Sequence, residues 1–540
     1  MHILMTSLRG GKRLSLSAAV VAALLTAPSA FADNAPQIKI GSETLAGVSS
    51  PGLAKFMGVR YAQAPTGELR WKPPVPAPAE PGTVDATKPG AGCPQGKSPW
   101  GTPSSDEDCL FLNITVPHDD AGMKFWQRKP VMVFFHGGGF TGGSGDVYDA
   151  DALARENNVI VVTVNYRLGA LGFFAHPALD AEDHVIANYG LLDQQQSLRW
   201  VRDNIAAFGG NPDNVTIFGE SAGAIAVYTH IVSPMAAGLF QKAIIESGAT
   251  ADETLQTAED QGKTLAQKVG CPEDASPAAA ECLRKAPVDT LISAEATPIA
   301  TIIDGKLLTG PIADSLKAGE YNRVPVINGT NHDEGNLIAG FMFDLSGAPL
   351  AAKDYDKALQ GIASFIPRVG FTDAAIPAVA KTYALSKYKV PGLAAAQVIT
   401  DGVIACPAYE TNRIMAKYSP TFEYEMADTD ARSVVAPPIS FPYRAGHFSE
   451  LQYLFDLSSI TLKGTPDMTD AQRALGKQMR AYWANFARSG NPNGKGVPTW
   501  PQFEQAQAGP VQSLNKPQSH SVSNFAAEHQ CAFWRKVERK

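Results

Sequence analysis

The sequence predicts an α/β fold built on a large, mostly parallel central sheet with helices on both faces. Short runs of continuous apolar, β-branched residues recur along the chain, each ending in a loop rich in Gly, Asn or Asp. Between these runs lie segments whose apolar residues repeat at helical spacing. A strand that is apolar throughout, without alternation, is buried on both faces, which is the situation of a parallel sheet covered by helices.

The first such strand, over residues 131–135, runs into His136-Gly137-Gly138-Gly139. A second, over 159–164, runs into Asn165-Tyr166-Arg167, and a third, over 215–218, into Gly219-Glu220-Ser221-Ala222-Gly223. Residues 324–327 precede Asn328-Gly329, and 422–424 form a fainter strand. Helices are predicted over 194–205, where Leu198, Val201 and Ile205 share a face, and over 222–231. Ligands of open α/β sheets bind outside the carboxyl ends of the strands, which is where the Gly-rich loops fall. Segments 252–300 and 340–400, rich in Ala, read as helical insertions over the sheet that cover the site. No linker divides the chain, so residues 33–540 read as one domain.

The first 32 residues stand apart. Arg9, Lys12 and Arg13 form a basic n-region, residues 14–25 an apolar core, and Ala30-Phe31-Ala32 a small-residue cleavage site, the pattern of a cleaved signal peptide. The apolar run is far shorter than the roughly 20 residues that span a bilayer, so a membrane anchor is not expected. A secreted or periplasmic protein follows. The composition of the full chain is that of a globular protein, 44% hydrophobic and 18% charged. Its net charge of −7 argues against nucleic acid as a partner, because phosphate binding needs concentrated Lys and Arg.

Six cysteines suit an oxidising compartment. Near neighbours nominate Cys93–Cys109 and Cys271–Cys282, leaving Cys406 and Cys531 to tie down the tail.

Gly219-Glu220-Ser221-Ala222-Gly223 matches G-x-S-x-G between a predicted strand and helix, the context in which a sharp turn projects a serine nucleophile at a helix N-terminus. A serine hydroxyl needs a base, and the base needs a third group to fix its tautomer. With the chain order serine, acid, histidine, the downstream histidines are His447, His520 and His529; His447 lies in a Gly-flanked loop after a strand and is favoured over the two tail residues. For the acid, Asp333 and Glu334 in Asn331-His332-Asp333-Glu334-Gly335 are both competent, and spacing does not separate them. The same cluster holds three metal-ligand types, but adjacent loop residues rarely all face one ion, so no metal is expected. Gly138 and Gly139 expose backbone N–H groups that, with Ala222, can point at one oxyanion. The glycine loop lacks the Lys-Ser/Thr ending of a phosphate loop and the spacing of a dinucleotide fingerprint, so no cofactor is expected.

Taken together, Gly58-Val59-Arg60-Tyr61-Ala62, the run from Ser105 to Asn113, His136-Gly137-Gly138-Gly139-Phe140, Asn165-Tyr166-Arg167, Phe208-Gly209-Gly210-Asn211-Pro212 and the Ser221 motif resemble the type-B carboxylesterase family over nearly the whole mature chain. The resemblance implies the α/β-hydrolase fold, a small-molecule ester as substrate, and a Ser221-His447-Glu334 triad working through an acyl-enzyme. It implies an oxyanion hole of Gly138, Gly139 and Ala222, disulfides Cys93–Cys109, Cys271–Cys282 and Cys406–Cys531, and Ser247 as a support for the acid. Two departures concern the substrate: Arg60 stands where proline is common, and the loop holding Trp100 is shorter than in cholinesterases, which argues against choline esters. The rival readings are a non-catalytic binding or adhesion protein on the same fold, in which triad residues are missing, and an amidase with the same triad.

Overall fold

The computed structural model describes residues 35–117, 128–182, 184, 187–295, 300–364, 370–504 and 509–537; the leader read from the sequence lies outside them. Its centre is an eleven-stranded sheet among the described residues. In chain order the strands are β1 (Val48–Ser50), β2 (Leu53–Arg60), β3 (Phe111–Pro117), β4 (Lys129–Phe135), β5 (Ile160–Val164), β6 (Gly210–Glu220), β7 (Lys242–Glu246), β8 (Val326–Asn331), β9 (Thr421–Met426), β10 (Val511–Leu514) and β11 (His520–Val522). Across the sheet they lie in the order β11-β10-β9-β8-β7-β6-β4-β5-β3-β2-β1. From β10 to β5 every pairing is parallel. The edges are antiparallel, β11 on β10 and β3, β2 and β1 beyond β5. The sheet is mostly parallel, as the sequence predicts, with antiparallel strands added at both edges.

Double-sided burial explains the continuous apolar runs. In β4, Val131, Val133 and Phe135 enter one hydrophobic cluster while Met132 and Phe134 enter the cluster on the opposite face. All five residues of β5 are buried. Helices α1 (Tyr189–Asn204) and α2 (Ala222–Val232) cover the first face. Helix α3 (Asp470–Ser489) covers the second. A capping box of Thr469 and Gln472 starts α3, and Gly490 at φ 77° ends it.

The two expected insertions behave differently. Segment 252–300 is helical, over Leu255–Lys268, Pro277–Lys285 and Val288–Ala294, but it packs beside Phe174 and Ala175, and none of its described residues lines the central cavity described below. Its expected role as a cover is corrected: apolar residues of these helices, such as Leu265, Leu283 and Leu291, are buried in the hydrophobic cluster on the first face. The second region, 340–400, supplies helices Tyr355–Ala363, Ile376–Thr382 and Pro391–Val398 and the π-helical turn Gly340–Asp344, and a second π-helical turn, Ile399–Ala405, begins at its end. Both π turns reach the cavity.

Three disulfides are present, Cys93–Cys109, Cys271–Cys282 and Cys406–Cys531. Arg60 is paired with Asp108 at 2.5 Å and stacks over Phe111. Among the described residues no helix is long and apolar enough to cross a membrane.

Candidate active site

The site begins at the junction of β6 and α2. Ser221 sits between them at φ 56°, ψ −120°, a region that costs a non-glycine residue about 1–3 kcal/mol. Its N–H donates to the Glu246 carbonyl at 3.0 Å, and the packing around the turn leaves no alternative path. A Cβ on Gly223 would lie 1.9 Å from the Phe135 carbonyl oxygen, and one on Gly219 would lie 2.7 Å from the same atom. Only glycines let β4, β6 and α2 approach this closely. Gly223→Ala is therefore expected to cost about 3 kcal/mol and to displace Ser221; a thermal midpoint and residual activity both at wild-type values would contradict this.

The loop after β4 turns through positive φ at Gly138 (100°), Gly139 (63°) and Phe140 (60°). A Cβ on Gly138 would meet the Gly142 oxygen at 2.2 Å. The loop is braced from both ends: Tyr166 donates its hydroxyl to the His136 carbonyl at 2.6 Å, and Gln95 exchanges two hydrogen bonds with Gly143. Burial pushes the His136 imidazole down to about 4, so it stays neutral beneath the glycines.

Glu334 follows the end of β8 and is fully buried. His447 Nδ1 donates to its Oε2 at 2.6 Å, while its Oε1 accepts the Asn331 N–H at 2.7 Å. Asp333, the alternative acid, turns away: it faces His332 at 3.1 Å and Arg444 at 3.5 Å. Of the three residues that suggested a metal cluster, His332 and Asp333 face each other while Glu334 points to His447. Of the tail histidines, His520 is exposed and His529 is buried between Asp401 and Glu425.

A cavity of about 370 Å3 joins these parts, with Ser221, His447, Gly138, Gly139 and Ala222 on its wall. Glu220 and Ser247 also face it, and the remaining wall is mostly apolar, including Ile225, Ile338, Phe341, Met342 and Ile404. Trp100, on the Cys93–Cys109 loop, also lines it, with its ring 5.0 Å from Phe448.

Sequence reasoning missed the carboxyl groups beneath the cavity. Glu220 Oε1 lies 3.2 Å from His447 Nε2. Glu450 accepts from Asn331 Nδ2 and from the Ser247 hydroxyl, the latter at 3.3 Å, so Ser247 touches Glu450 and reaches Glu334 only through Asn331. Glu246 accepts from Trp483 Nε1. Burial and mutual repulsion hold the Glu220 and Glu246 carboxyls well above their ordinary range, and push Glu450 up to about 7. Burial works against a charged His447, but Glu220 and Glu334 outweigh it and raise the imidazole above 6.5. Glu220 was visible as the variable residue of the serine motif; Glu246 and Glu450 left no local signal.

The model of the Carboxylesterase family matches residues 35–534. The chain belongs to the carboxylesterase family. It is 33% identical to the pyrethroid hydrolase Ces2e of Rattus norvegicus over 483 residues, covering 84% of this chain and 81% of that one. It is 32% identical to the cocaine esterase of Homo sapiens, covering 91% and 88%. A solved thermophilic PNB esterase superposes with a TM-score of 0.76 at 29% identity, covering 92% of this chain and 100% of the other. The fold is thus that of the α/β hydrolases, and the chain is a serine carboxylesterase acting on small-molecule esters.

Proposed function

We propose that this carboxylesterase works through a triad of Ser221, His447 and Glu334 and an acyl-enzyme on Ser221. The observation that carries the reading is the Glu334–His447 pair at 2.6 Å opening on the same cavity as the strained Ser221. Glu334 holds the proton on Nδ1, leaving Nε2 to take the serine proton. Ser221 Oγ attacks the ester carbonyl, and the N–H groups of Gly138, Gly139 and Ala222 receive the oxyanion. His447 protonates the departing alcohol, then activates water to release the acid. The apolar cavity wall suits uncharged acyl and alcohol groups. Three disulfides support reading residues 1–32 as a cleaved leader and residues 33–540 as one catalytic domain in an oxidising compartment.

Hydrolysis of p-nitrophenyl esters from acetate to palmitate tests the reading. A burst of p-nitrophenol equal to the enzyme concentration and a chain-length optimum are expected; no turnover of any member would overturn it.

The pH profile follows from the histidine. Only neutral His447 accepts a proton, and its neutral fraction grows as pH rises through a value lifted above 6.5 by the carboxylates. The acid limb of kcat/KM is expected above 6.5, and Glu220→Gln should move it to lower pH. A limb unmoved in that variant would contradict the role given to Glu220.

A further inference from the structure

His529 is buried to 1% exposure and takes no part in the chemistry above. Its Nδ1 donates to Asp401 Oδ1 and its Nε2 to Glu425 Oε1, both at 2.7 Å. With both ring nitrogens donating, the ring is an imidazolium between two buried carboxylates. Burial opposes that charge, but the two hydrogen-bonded carboxylates outweigh it and push the group up to about 10. Glu423 on β9 and the His332 ring, 5.8 Å away, also face it.

Asp401 and Glu425 each lead back to the acid. Asp401, which also accepts from Tyr383 and Gln397, lies in the π-helical turn Ile399–Ala405. In that turn Thr400 Oγ1 accepts the N–H of Gly335, the residue after Glu334, at 2.9 Å, and Ile404 forms part of the cavity wall. Glu425 lies on β9 opposite Thr330 of β8. There His332 donates its N–H to the Met426 carbonyl at 2.9 Å, and its ring lies 3.2 Å from Glu528 of the tail. The tail thus grips the acid loop before and after Glu334.

Resting on the reading of Glu334 as triad acid, we propose that His529 is a positioning residue: clamped as a cation between Asp401 and Glu425, it fixes the π-helical turn whose Thr400 holds Gly335, and so aims Glu334 at His447. A neutral side chain there leaves a buried carboxylate without its partner, and the turn relaxes.

The test measures kcat and KM for p-nitrophenyl butyrate, with thermal midpoints, in His529→Gln, Thr400→Val, Thr400→Ser, the double variant His529→Gln/Thr400→Val, and Glu334→Gln. Both His529→Gln and Thr400→Val are expected to lower kcat by about 10- to 100-fold with KM little changed, the cost of a small misplacement of a catalytic group. Thr400→Ser, which keeps the acceptor, should retain wild-type kcat, and the double variant should be no slower than the slower single one. Folded Thr400→Val with wild-type kcat overturns the proposal, even where His529→Gln fails to fold. A fall in thermal midpoint alone, with kcat unchanged, also overturns it and leaves a purely structural tail. Wild-type kcat in Glu334→Gln removes the triad reading and the proposal together; a crippled Glu334→Gln beside fully active His529→Gln and Thr400→Val removes the proposal alone.

Discussion

Ser221→Ala is expected to lower kcat for ester hydrolysis by about six orders of magnitude, with KM changed little. The substitution deletes the only atom that forms the covalent bond in the proposed mechanism. It leaves the cavity, whose mostly apolar wall is independent of the hydroxyl, free to bind the ester as before. Alanine also tolerates the site: the serine carries a Cβ at φ 56° already, so the backbone strain is unchanged and the thermal midpoint should hold. Steady-state kinetics with p-nitrophenyl butyrate checks the effect. A loss of only tenfold would mean that another nucleophile, or water activated directly by His447, carries the reaction.

Glu334→Gln should cost about 10^4 in kcat with little change in KM. Glutamine can fill the same space, yet its amide can present a donor to His447 Nδ1 where the carboxylate accepts at 2.6 Å. The ring then favours the tautomer with its proton on Nε2, and Glu220 Oε1, 3.2 Å from Nε2, stabilises that arrangement. A histidine with its proton on Nε2 cannot deprotonate Ser221. Glu334→Asp should lose less, since a shorter carboxylate keeps the charge. Near-normal kcat in Glu334→Gln would show that the acid lies elsewhere; Asp333, turned toward His332 and Arg444, would be the next candidate.

Both substitutions draw on residues legible in the sequence. The strands behind the site could be read because burial on both faces forces unbroken apolar runs, as in β4 and β5. Strand β2, next to the edge, was not legible: Lys55, Met57 and Arg60 are only partly buried and break its pattern. Strand β8 was read as ending at Ile327, but it runs on to Asn331. Asn328 and Asn331 stay in the sheet with their buried side-chain N–H groups donating to Asn412 and Glu450, partners that lie more than 80 residues away. Ser221, His447, Gly138 and Gly139 were nominated from local motifs, and the fold brings them to one cavity. The direction in which Asp333 and Glu334 point was not readable from two adjacent loop residues. The buried carboxyls Glu220, Glu246 and Glu450 come from three separate elements, so no spacing could have grouped them.

In the proposed mechanism one serine, Ser221, becomes acylated. Its most direct test is intact-mass analysis of the enzyme after reaction with a fluorophosphonate, followed by peptide mapping and compared with Ser221→Ala. One adduct per chain is expected, located on Ser221, formed in step with the loss of esterase activity and absent from the variant. An adduct on another residue, or full esterase activity with no adduct formed, would contradict it.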